Sequence, residues 1–246
     1  MTDDGVLIEP RRIPGDPELD HPVILALFGP YLEILRKELK IKKKSMGLMR
    51  FPSMNVGTTR IGGRAISLVG APLGAPHAVI LLERLIAMGA RKFVAFGCCG
   101  SIQADLRVGS WVIPTGALCE EGTSTHYPLP EGTADRGSGE IRRLLREKCE
   151  QKNCSFRMGD VWTTDALFRE TREKVRKYSA MGVLAVEMEI SAFFTVADYR
   201  RVQLGALLVV SDELGDLKWK TGFLSPLFWA SSQNAAQRVI EVAASL

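Results

Sequence analysis

Apolar runs of strand length alternate along the chain with segments whose apolar residues recur at the helical period. In residues 76–90 the apolar positions fit a spacing of 3.6, with Pro76 able to begin a helix and Gly89 able to end it. Apolar and β-branched runs on both sides of this segment predict strands, so the three elements form a β-α-β unit. This order is typical of a largely parallel sheet with helices on both faces. The strands predicted in this way are residues 65–69, 92–96, 111–115, 184–186 and 203–210.

Three further helices are predicted from the same pattern. Ser138 caps a helix over residues 138–152, charges alternate along residues 169–178, and a final amphipathic helix covers residues 226–246. No internal repeat, low-complexity stretch or linker interrupts the pattern. We therefore expect a single domain over residues 1–246, with ligand sites beyond the carboxyl ends of the strands.

Composition and charge narrow the class of protein. The 246 residues are 46% hydrophobic and 24% charged, and no uncharged apolar run reaches the ~18 residues of a membrane span. The first residues lack the basic-then-apolar order of a secretory signal, so we expect a cytoplasmic protein. The net charge is +4, and the basic run at residues 37–44 contains no aromatic residue. This favours a solvated helix end over a nucleic-acid surface.

Cysteine and histidine spacing argues against a metal centre. The five cysteines form no CxxC or CxxH spacing, and their odd number suits reduced thiols better than a disulfide framework. The three histidines are too scattered to suggest zinc ligands. We therefore expect neither a metal nor another cofactor.

Two glutamates stand in an otherwise apolar run. Glu187 and Glu189 lie within residues 184–194 and are separated only by Met188. A buried carboxylate is costly unless it is paired or hydrogen-bonded. Either core arginines neutralise this pair, or the two acids belong to a functional site.

Glycine-rich turns and a third acid follow predicted strands. Residues 70–74 and 97–101 can bring backbone N–H groups close to an anion, although tight packing of a turn explains them equally well. Neither turn matches the Walker motif or the dinucleotide-binding motif. Ser211-Asp212 follows an apolar strand, where partial burial would raise the pKa of Asp212 and suit it to donate a proton. Capping of a helix is the alternative.

The ordered set of these features resembles the nucleoside phosphorylase family, which includes purine nucleoside and uridine phosphorylases. The similarity extends from about Gly57 to Leu214, and its most specific part is Val186-Glu187-Met188-Glu189, followed about twenty residues later by Ser211-Asp212. The resemblance implies an α/β fold, a three-layer α/β/α sandwich with a central mixed, largely parallel sheet. It also implies a homo-oligomer, either a dimer or a hexamer built from dimers, because the family borrows site residues across interfaces.

By this resemblance, these residues form a site at which the bond between a pentose and a base is cleaved. Glu189 would hold the ribose hydroxyls, Met188 would lie against the sugar, and Glu187 would support the sugar site. Asp212 would protonate or hydrogen-bond the leaving base while inorganic phosphate attacks the anomeric carbon. Carboxylates near the sugar suit this reaction because positive charge develops on the ribose as the glycosidic bond breaks.

The predicted phosphate site departs from the family pattern. Ala95 stands where the family has an arginine, and Cys98 where it has a hydroxyl residue. Gly15-Asp16-Pro17 resembles the family's GDPxR element, but Leu19 replaces its arginine. A phosphate dianion needs cationic donors or several N–H donors. We assign phosphate binding to Cys98, Gly74 and Arg50, with Arg60, Arg11 and Arg12 as further candidate cations.

The predicted base site lies in residues 162–168, which resemble the family's base-stacking loop. Thr171 and Glu173 stand where uridine enzymes read uracil, and a carboxylate favours a base that presents N–H donors, such as a purine. The residues expected to contact the base are Trp162, Leu167 and Phe168.

Two rival functions accompany the leading hypothesis. A nucleosidase would use water in place of phosphate, and the missing arginines favour it. A nucleoside-binding sensor would keep Glu189 but have no turnover. A nucleoside and phosphate are the expected partners, and neither nucleic acid nor a membrane is expected. His126, in a loop that passes near the sugar in relatives, is either a ligand contact or a surface residue.

Overall fold

The computed structural model describes residues 5–42, 47–49, 54–129, 137–152 and 155–246. Two 3-10 turns, Ser124–His126 and Leu167–Arg169, accompany the strands and helices. The strands are β1 (Val23–Ala26), β2 (Gly47–Met49), β3 (Met54–Ile61), β4 (Arg64–Gly70), β5 (Lys92–Ser101), β6 (Trp111–Glu120), β7 (Phe156–Thr164), β8 (Ala185–Glu187), β9 (Gln203–Glu213) and β10 (Lys220–Thr221). The helices are α1 (Gly29–Glu38), α2 (Ala75–Ala87), α3 (Gly139–Gln151), α4 (Arg172–Ala180), α5 (Ile190–Arg200) and α6 (Pro226–Ser245).

The strands form one mixed sheet, half of which closes on itself. Their order is β10-β9-β6-β7-β8-β5-β1-β4-β3-β2, and β9 also pairs in parallel with β5. Strands β5, β9, β6, β7 and β8 therefore form a closed, barrel-like ring, from which β1, β4, β3 and β2 extend as an open sheet. The antiparallel pairs β6–β9 and β5–β8 complete the ring. The sequence did not indicate this closure, because a strand's own residues do not identify its partner.

The predicted β-α-β unit is β4-α2-β5. Both strands pair in parallel with β1, which lies between them. Helix α2 has Pro76 in its first turn, and Gly89 follows its end with a φ of +109°. A Cβ atom at Gly89 would lie 3.2 Å from the carbonyl oxygen of Leu19, so glycine permits both the turn and this close approach. The helix bounds predicted from Pro76 and Gly89 are confirmed.

Capping side chains begin two of the other predicted helices. Ser138 Oγ accepts the backbone N–H of Ile141 at the start of α3, as predicted. Thr171 accepts the N–H of Lys174 in α4, which begins later than predicted because a 3-10 turn precedes it. Helix α5 was not predicted, since residues 190–197 are all buried and show no polar face.

Side chains alternate between two cores along β5. Phe93 and Ala95 belong to the core that includes residues of α2 and α5, whereas Val94 and Phe96 belong to the core that includes residues of α1, α3 and α6. Helices therefore lie on both faces of the sheet, as expected for central strands without a solvated face. A smaller third core contains Trp162 and the buried residues of α4. No helix in the described ranges is both long and apolar enough to cross a membrane.

The carboxyl ends of β1, β4, β5 and β9 lie at one edge of the sheet, because these strands run parallel. Near the end of β5, Gly100 pairs with Asp212 of β9 on one side and with Val186 of β8 on the other. A register shift between Cys99 and Gly100 marks a bulge at this point. The two segments that carry the acids predicted from the sequence therefore flank the same strand end.

Candidate active site

Glu187 is buried at the end of β8 and its oxygens are fully occupied by protein donors. Its Oε2 accepts the backbone N–H groups of Glu189 and Ile190 at 2.7 Å each, and its Oε1 accepts the hydroxyl of Thr163. Burial raises the pKa of Glu187, and these three hydrogen bonds oppose that rise. Because its oxygens accept donors at the start of α5, Glu187 fixes the position of Glu189.

Glu189 is also buried, but its carboxyl has one hydrogen-bond partner among the described residues. Its Oε1 accepts the N–H of Gly74 at 2.6 Å, in the turn that precedes α2. Burial and the negative charge of Glu187 raise the pKa of Glu189. Gly74 has a φ of +91°, which aims its N–H from the start of α2 toward this carboxyl. Glu189 therefore keeps an oxygen without a described partner.

Asp212 stands near the end of β9 beside the terminal residues of β5. Ser211 Oγ lies 2.7 Å from its Oδ1, and the indole N–H of Trp219 donates to its Oδ2 at 2.9 Å. Burial raises the pKa of Asp212, while these hydrogen bonds oppose that rise. A Cβ atom at Gly100 would lie 3.1 Å from Asp212 Oδ2 and 2.7 Å from a methyl carbon of Leu214. The glycine in the second turn therefore packs closely against both Leu214 and the acid.

Cys98 links the two acids electrostatically. Burial, together with the negative charges of Asp212 and Glu189, raises the pKa of its thiol to about 12, while a hydrogen bond with Ser211 opposes the rise. Both carboxyls therefore act on the same half-buried side chain of β5. A thiol with this pKa is neutral at pH 7 and can only donate weakly to an anion. Met188 is half-buried between its two buried neighbours.

A hydrogen-bonded network supports the sugar side of this pocket. The N–H of Ser191 donates to Thr163 Oγ1 at 2.9 Å, and its hydroxyl lies 3.0 Å from Glu121 Oε1. Glu121 also accepts the N–H of Thr123 at 2.5 Å, which ties the loop after β6 to α5. His126 lies exposed in this loop, which favours the surface interpretation of that histidine.

The predicted base contacts lie in different environments. Trp162 is fully buried, donates from Nε1 to Glu120 at 2.8 Å and packs against Tyr178 with ring centroids 4.8 Å apart. Because its ring belongs to the third core, the expectation that Trp162 contacts the base is wrong. Leu167 and Phe168 are exposed in the 3-10 turn after β7, where Phe168 is 96% exposed.

Two side chains near Asp212 were not identified from the sequence. Glu170 is half-buried, and burial followed by the charge of Asp212 raises its pKa to about 7. Glu173, which the family resemblance places at the base site, is exposed on α4. Trp219 hydrogen-bonds Asp212 from the segment between β9 and β10. No local pattern marks Glu170 or Trp219, because both reach Asp212 only through tertiary contacts.

Several predicted phosphate cations lie away from the acids. Arg60 pairs with Ala65 near the start of β4, at the end of that strand opposite Gly70, and donates to the carbonyl of Gly63. Arg12 bonds Glu18 in the N-terminal segment, which contacts the far end of α2 through Leu19 and Met88. Arg11 pairs with Glu9 in the same segment. These three arginines are therefore wrong as phosphate ligands in this chain.

The GDP-like element of the N-terminal segment is structural. Asp16 forms a buried ion pair with Arg84 in the last turn of α2, and Leu19 is fully buried in the core. Arg84 lies at the opposite end of α2 from Gly74. The element therefore secures the N-terminal segment to α2 and cannot reach the acids.

Positive charge is missing around the acids in the part of the chain that the structure describes. Within it, no arginine or lysine forms an ion pair with Glu187, Glu189 or Asp212, so the core-arginine alternative is wrong there. Arg50, the leading phosphate candidate, lies outside the described residues. The same ranges contain no group of three or more histidine, cysteine, aspartate or glutamate side chains able to hold a metal ion.

The chain is similar to known phosphorylases along most of its length. The phosphorylase superfamily model matches residues 23–246. A guanosine phosphorylase of Halorubrum lacusprofundi is 28% identical over 214 residues, which cover 87% of this chain and 82% of that protein. A DeoD-type purine nucleoside phosphorylase of Bacillus cereus is 28% identical over 213 residues, covering 85% and 84%.

A uridine phosphorylase from Vibrio fischeri has the same fold, with a TM-score of 0.78, 20% sequence identity and 93% coverage of each chain. The family match also contains every acid of the site described above. This chain therefore belongs to the phosphorylase superfamily.

Proposed function

We propose that the protein is a nucleoside phosphorylase, a pentosyltransferase that cleaves the N-glycosidic bond with phosphate to give free base and pentose 1-phosphate. One observation carries the proposal: Glu189 and Asp212 are both desolvated beside the end of β5, and both act on the thiol of Cys98. Two desolvated carboxyls beside the same strand end suit a ligand with a sugar at one end and a heterocycle at the other. Family membership supports the same reaction.

Glu189 acts on the sugar. Its oxygen without a described partner accepts hydrogen bonds from the ribose hydroxyls, which strengthen as the ribose gains positive charge. Glu187 holds the first turn of α5 and adds negative charge behind Glu189. Met188 supplies the apolar surface beneath the sugar.

Asp212 acts on the base. Burial keeps its carboxyl protonated to a higher pH than an exposed aspartate, so it can donate a proton to the leaving heterocycle. The carboxyl of Glu170 lies on the same side and favours a base with N–H donors. A purine base agrees with the names of two relatives, the guanosine phosphorylase and the DeoD-type purine nucleoside phosphorylase. Leu167 and Phe168 provide apolar surface for that base.

Phosphate is the co-substrate, and no other cofactor is required. Cys98, the start of α2 at Gly74 and the undescribed Arg50 are the proposed phosphate contacts. In the ligand-free protein the N–H of Gly74 is bonded to Glu189, so phosphate binding relies mainly on Arg50.

Hydrolysis is the second candidate function, because the described residues place no cation beside the acids. Initial rates of base release from guanosine, inosine, adenosine and uridine, with and without phosphate, distinguish the two reactions. Phosphorolysis predicts release only with phosphate, together with pentose 1-phosphate. Equal rates without phosphate identify a nucleosidase, and binding by calorimetry without release identifies a sensor. Asp212→Asn is the control. We expect it to release the base about 10²-fold or more slowly than wild type.

The domain organisation, the oligomeric state and the location belong to the same proposal. We assign the chain to one domain in which the open part of the sheet is the middle layer of an α/β/α sandwich, supported by helices on both faces. A homo-oligomer, either a dimer or a hexamer built from dimers, would supply residues that one chain lacks at the phosphate site. The cytoplasmic location stays a prediction from the sequence.

A further inference from the structure

Trp219 combines two properties that rarely occur together. Its indole N–H donates to Oδ2 of the buried Asp212 at 2.9 Å, yet the residue is 68% exposed. Among the described residues it has no aromatic packing partner and belongs to none of the cores. Packing therefore does not explain its position, whereas the hydrogen bond to the acid does.

The two oxygens of Asp212 differ in how firmly they are held. Oδ1 lies 2.7 Å from the hydroxyl of Ser211, which is buried within β9 and also lies 3.2 Å from the carbonyl of Cys99. Oδ2 is held by the exposed Trp219 and lies close to Gly100, where a Cβ atom would be 3.1 Å away. Oδ2 is therefore the oxygen that an incoming ligand can reach, and Trp219 occupies it.

The segment that carries Trp219 is anchored at its start and middle. The N–H of Leu214 donates to the carbonyl of Ser101 at 2.8 Å, and Arg172 Nε lies 3.4 Å from the carbonyl of Leu217. Trp219 follows these anchors and immediately precedes β10. Its ring can therefore leave Asp212 without disturbing β5 or β9.

We propose that Trp219 is a positioning residue for Asp212, whose indole N–H holds Oδ2 in the ligand-free protein and gives up that oxygen to the base of a bound nucleoside. The part that concerns the nucleoside rests on the proposed function. The hydrogen bond in the ligand-free protein does not.

The replacement of Trp219 by the base at Oδ2, called the exchange below, can be measured because neighbouring charged and titratable groups interact with Asp212. Burial, together with the charge of Asp212, raises the pKa of Glu170, in the segment before α4, and the pKa of the thiols of Cys98 and Cys99 of β5. Lys220 of β10, next to the residue paired with Asp212, is bonded to Asp216 instead. Burial raises the pKa of Asp212 and favours the protonated acid, whereas the Ser211 and Trp219 donors favour the carboxylate.

The ligand-free bond is tested by the indole N–H signals of ¹⁵N-labelled protein, in which Trp219→Phe identifies the Trp219 signal among four tryptophans. The Trp219 signal should move downfield as the pH rises through the pKa of Asp212, because a carboxylate is the stronger acceptor. This movement should disappear in Asp212→Asn. A pH-independent signal that Asp212→Asn leaves in place would overturn the bond.

The exchange is tested by adding guanosine in phosphate-free buffer. We expect the Trp219 signal to shift at the guanosine concentrations at which calorimetry detects binding. Binding without any shift would overturn the exchange. If guanosine, inosine, adenosine and uridine neither bind nor react, the proposed function fails together with the exchange, while the ligand-free titration still decides the bond.

The pH–rate profile distinguishes a positioning role of Trp219 toward Asp212 from a role in packing alone. Trp219→Phe removes a donor to the carboxylate, so the alkaline limb should move to higher pH by about half to one unit. The kcat should fall about tenfold with little change in KM, because the acid is less well oriented.

Trp229→Phe is the matched control. The indole of Trp229 donates to the carbonyl of Phe223 at 2.8 Å and has no contact with Asp212, so its loss should leave the limb in place. Equal profiles for Trp219→Phe and wild type would overturn the positioning role.

Discussion

At the scale of single residues, Glu187 and Glu189 are both buried glutamates, but their carboxyls accept different numbers of hydrogen bonds. Glu187 accepts three hydrogen bonds from residues of its own neighbourhood, whereas Glu189 accepts one, from Gly74. Three donors support a carboxylate at Glu187, and its charge then favours a proton on Glu189. Hydroxyl donors of a bound ligand would oppose this rise in the pKa of Glu189 and favour its carboxylate.

Replacement of Glu189 by glutamine should stabilise the ligand-free protein at alkaline pH and abolish most activity. The pKa of Glu189 is raised in the folded state, so its contribution to stability is complete below the unfolded value of about 4.3 and is lost as pH rises through the raised pKa. The difference between the variant and wild type should therefore widen by a few kcal/mol as pH rises from 5 to 8. Thermal unfolding from pH 5 to pH 8 measures it.

The control for this prediction is Glu173→Gln, which changes an exposed glutamate of α4. Its unfolding midpoints should follow those of wild type at every pH. The idea of a destabilising carboxyl would have to be abandoned if Glu189→Gln and wild type lost stability in parallel. Loss of nucleoside cleavage should reach about 10²-fold, since a neutral amide stabilises the ribose cation less than a carboxylate does.

At the scale of elements, the turn before α2 connects the helix to the sugar site. Gly74 has a φ of +91° and no atom within 4 Å of the position of a Cβ, so its conformation, and not crowding, requires glycine. The N–H that this conformation orients is the one bonded to Glu189. A short turn therefore sets the geometry of an acid more than a hundred residues later in the chain.

Gly74→Ala should cost about 1 to 2 kcal/mol of stability through backbone strain alone and should also lower activity. Gly63→Ala is the matched control, because Gly63 has a φ of +83° and the same open space in the turn between β3 and β4. Urea unfolding should give similar losses for both variants. Equal activity losses would show that the turn at Gly74 has no special connection to the site.

At the scale of the whole molecule, closure of the sheet brings β8 and β9 to the end of β5, but the described residues leave the acids without a neighbouring cation. Exposed apolar side chains stand in the turn before α2 and in the 3-10 turn after β7, namely Leu73, Leu167 and Phe168. Both features are those of a site completed by a second copy of the chain.

We therefore expect activity per chain to fall when the protein is diluted below the concentration at which it dissociates. Light scattering after size-exclusion chromatography gives the oligomeric state, and phosphate-dependent rates across the same concentrations give the activity. A carrier protein controls for loss on surfaces. Full activity of a monomer would contradict the expectation.

Local patterns in the sequence determined the starts and ends of α2, the cap of α3 and the order of glycine turns and acids, because capping and periodicity depend on neighbouring residues. Tertiary structure decided the rest. The β5–β9 pairing closes the ring, packing against α4 buries Trp162, and tertiary contacts place Glu170 and Trp219 beside Asp212. Strand pairing and burial depend on residues far apart in the chain, so no local pattern carries that information.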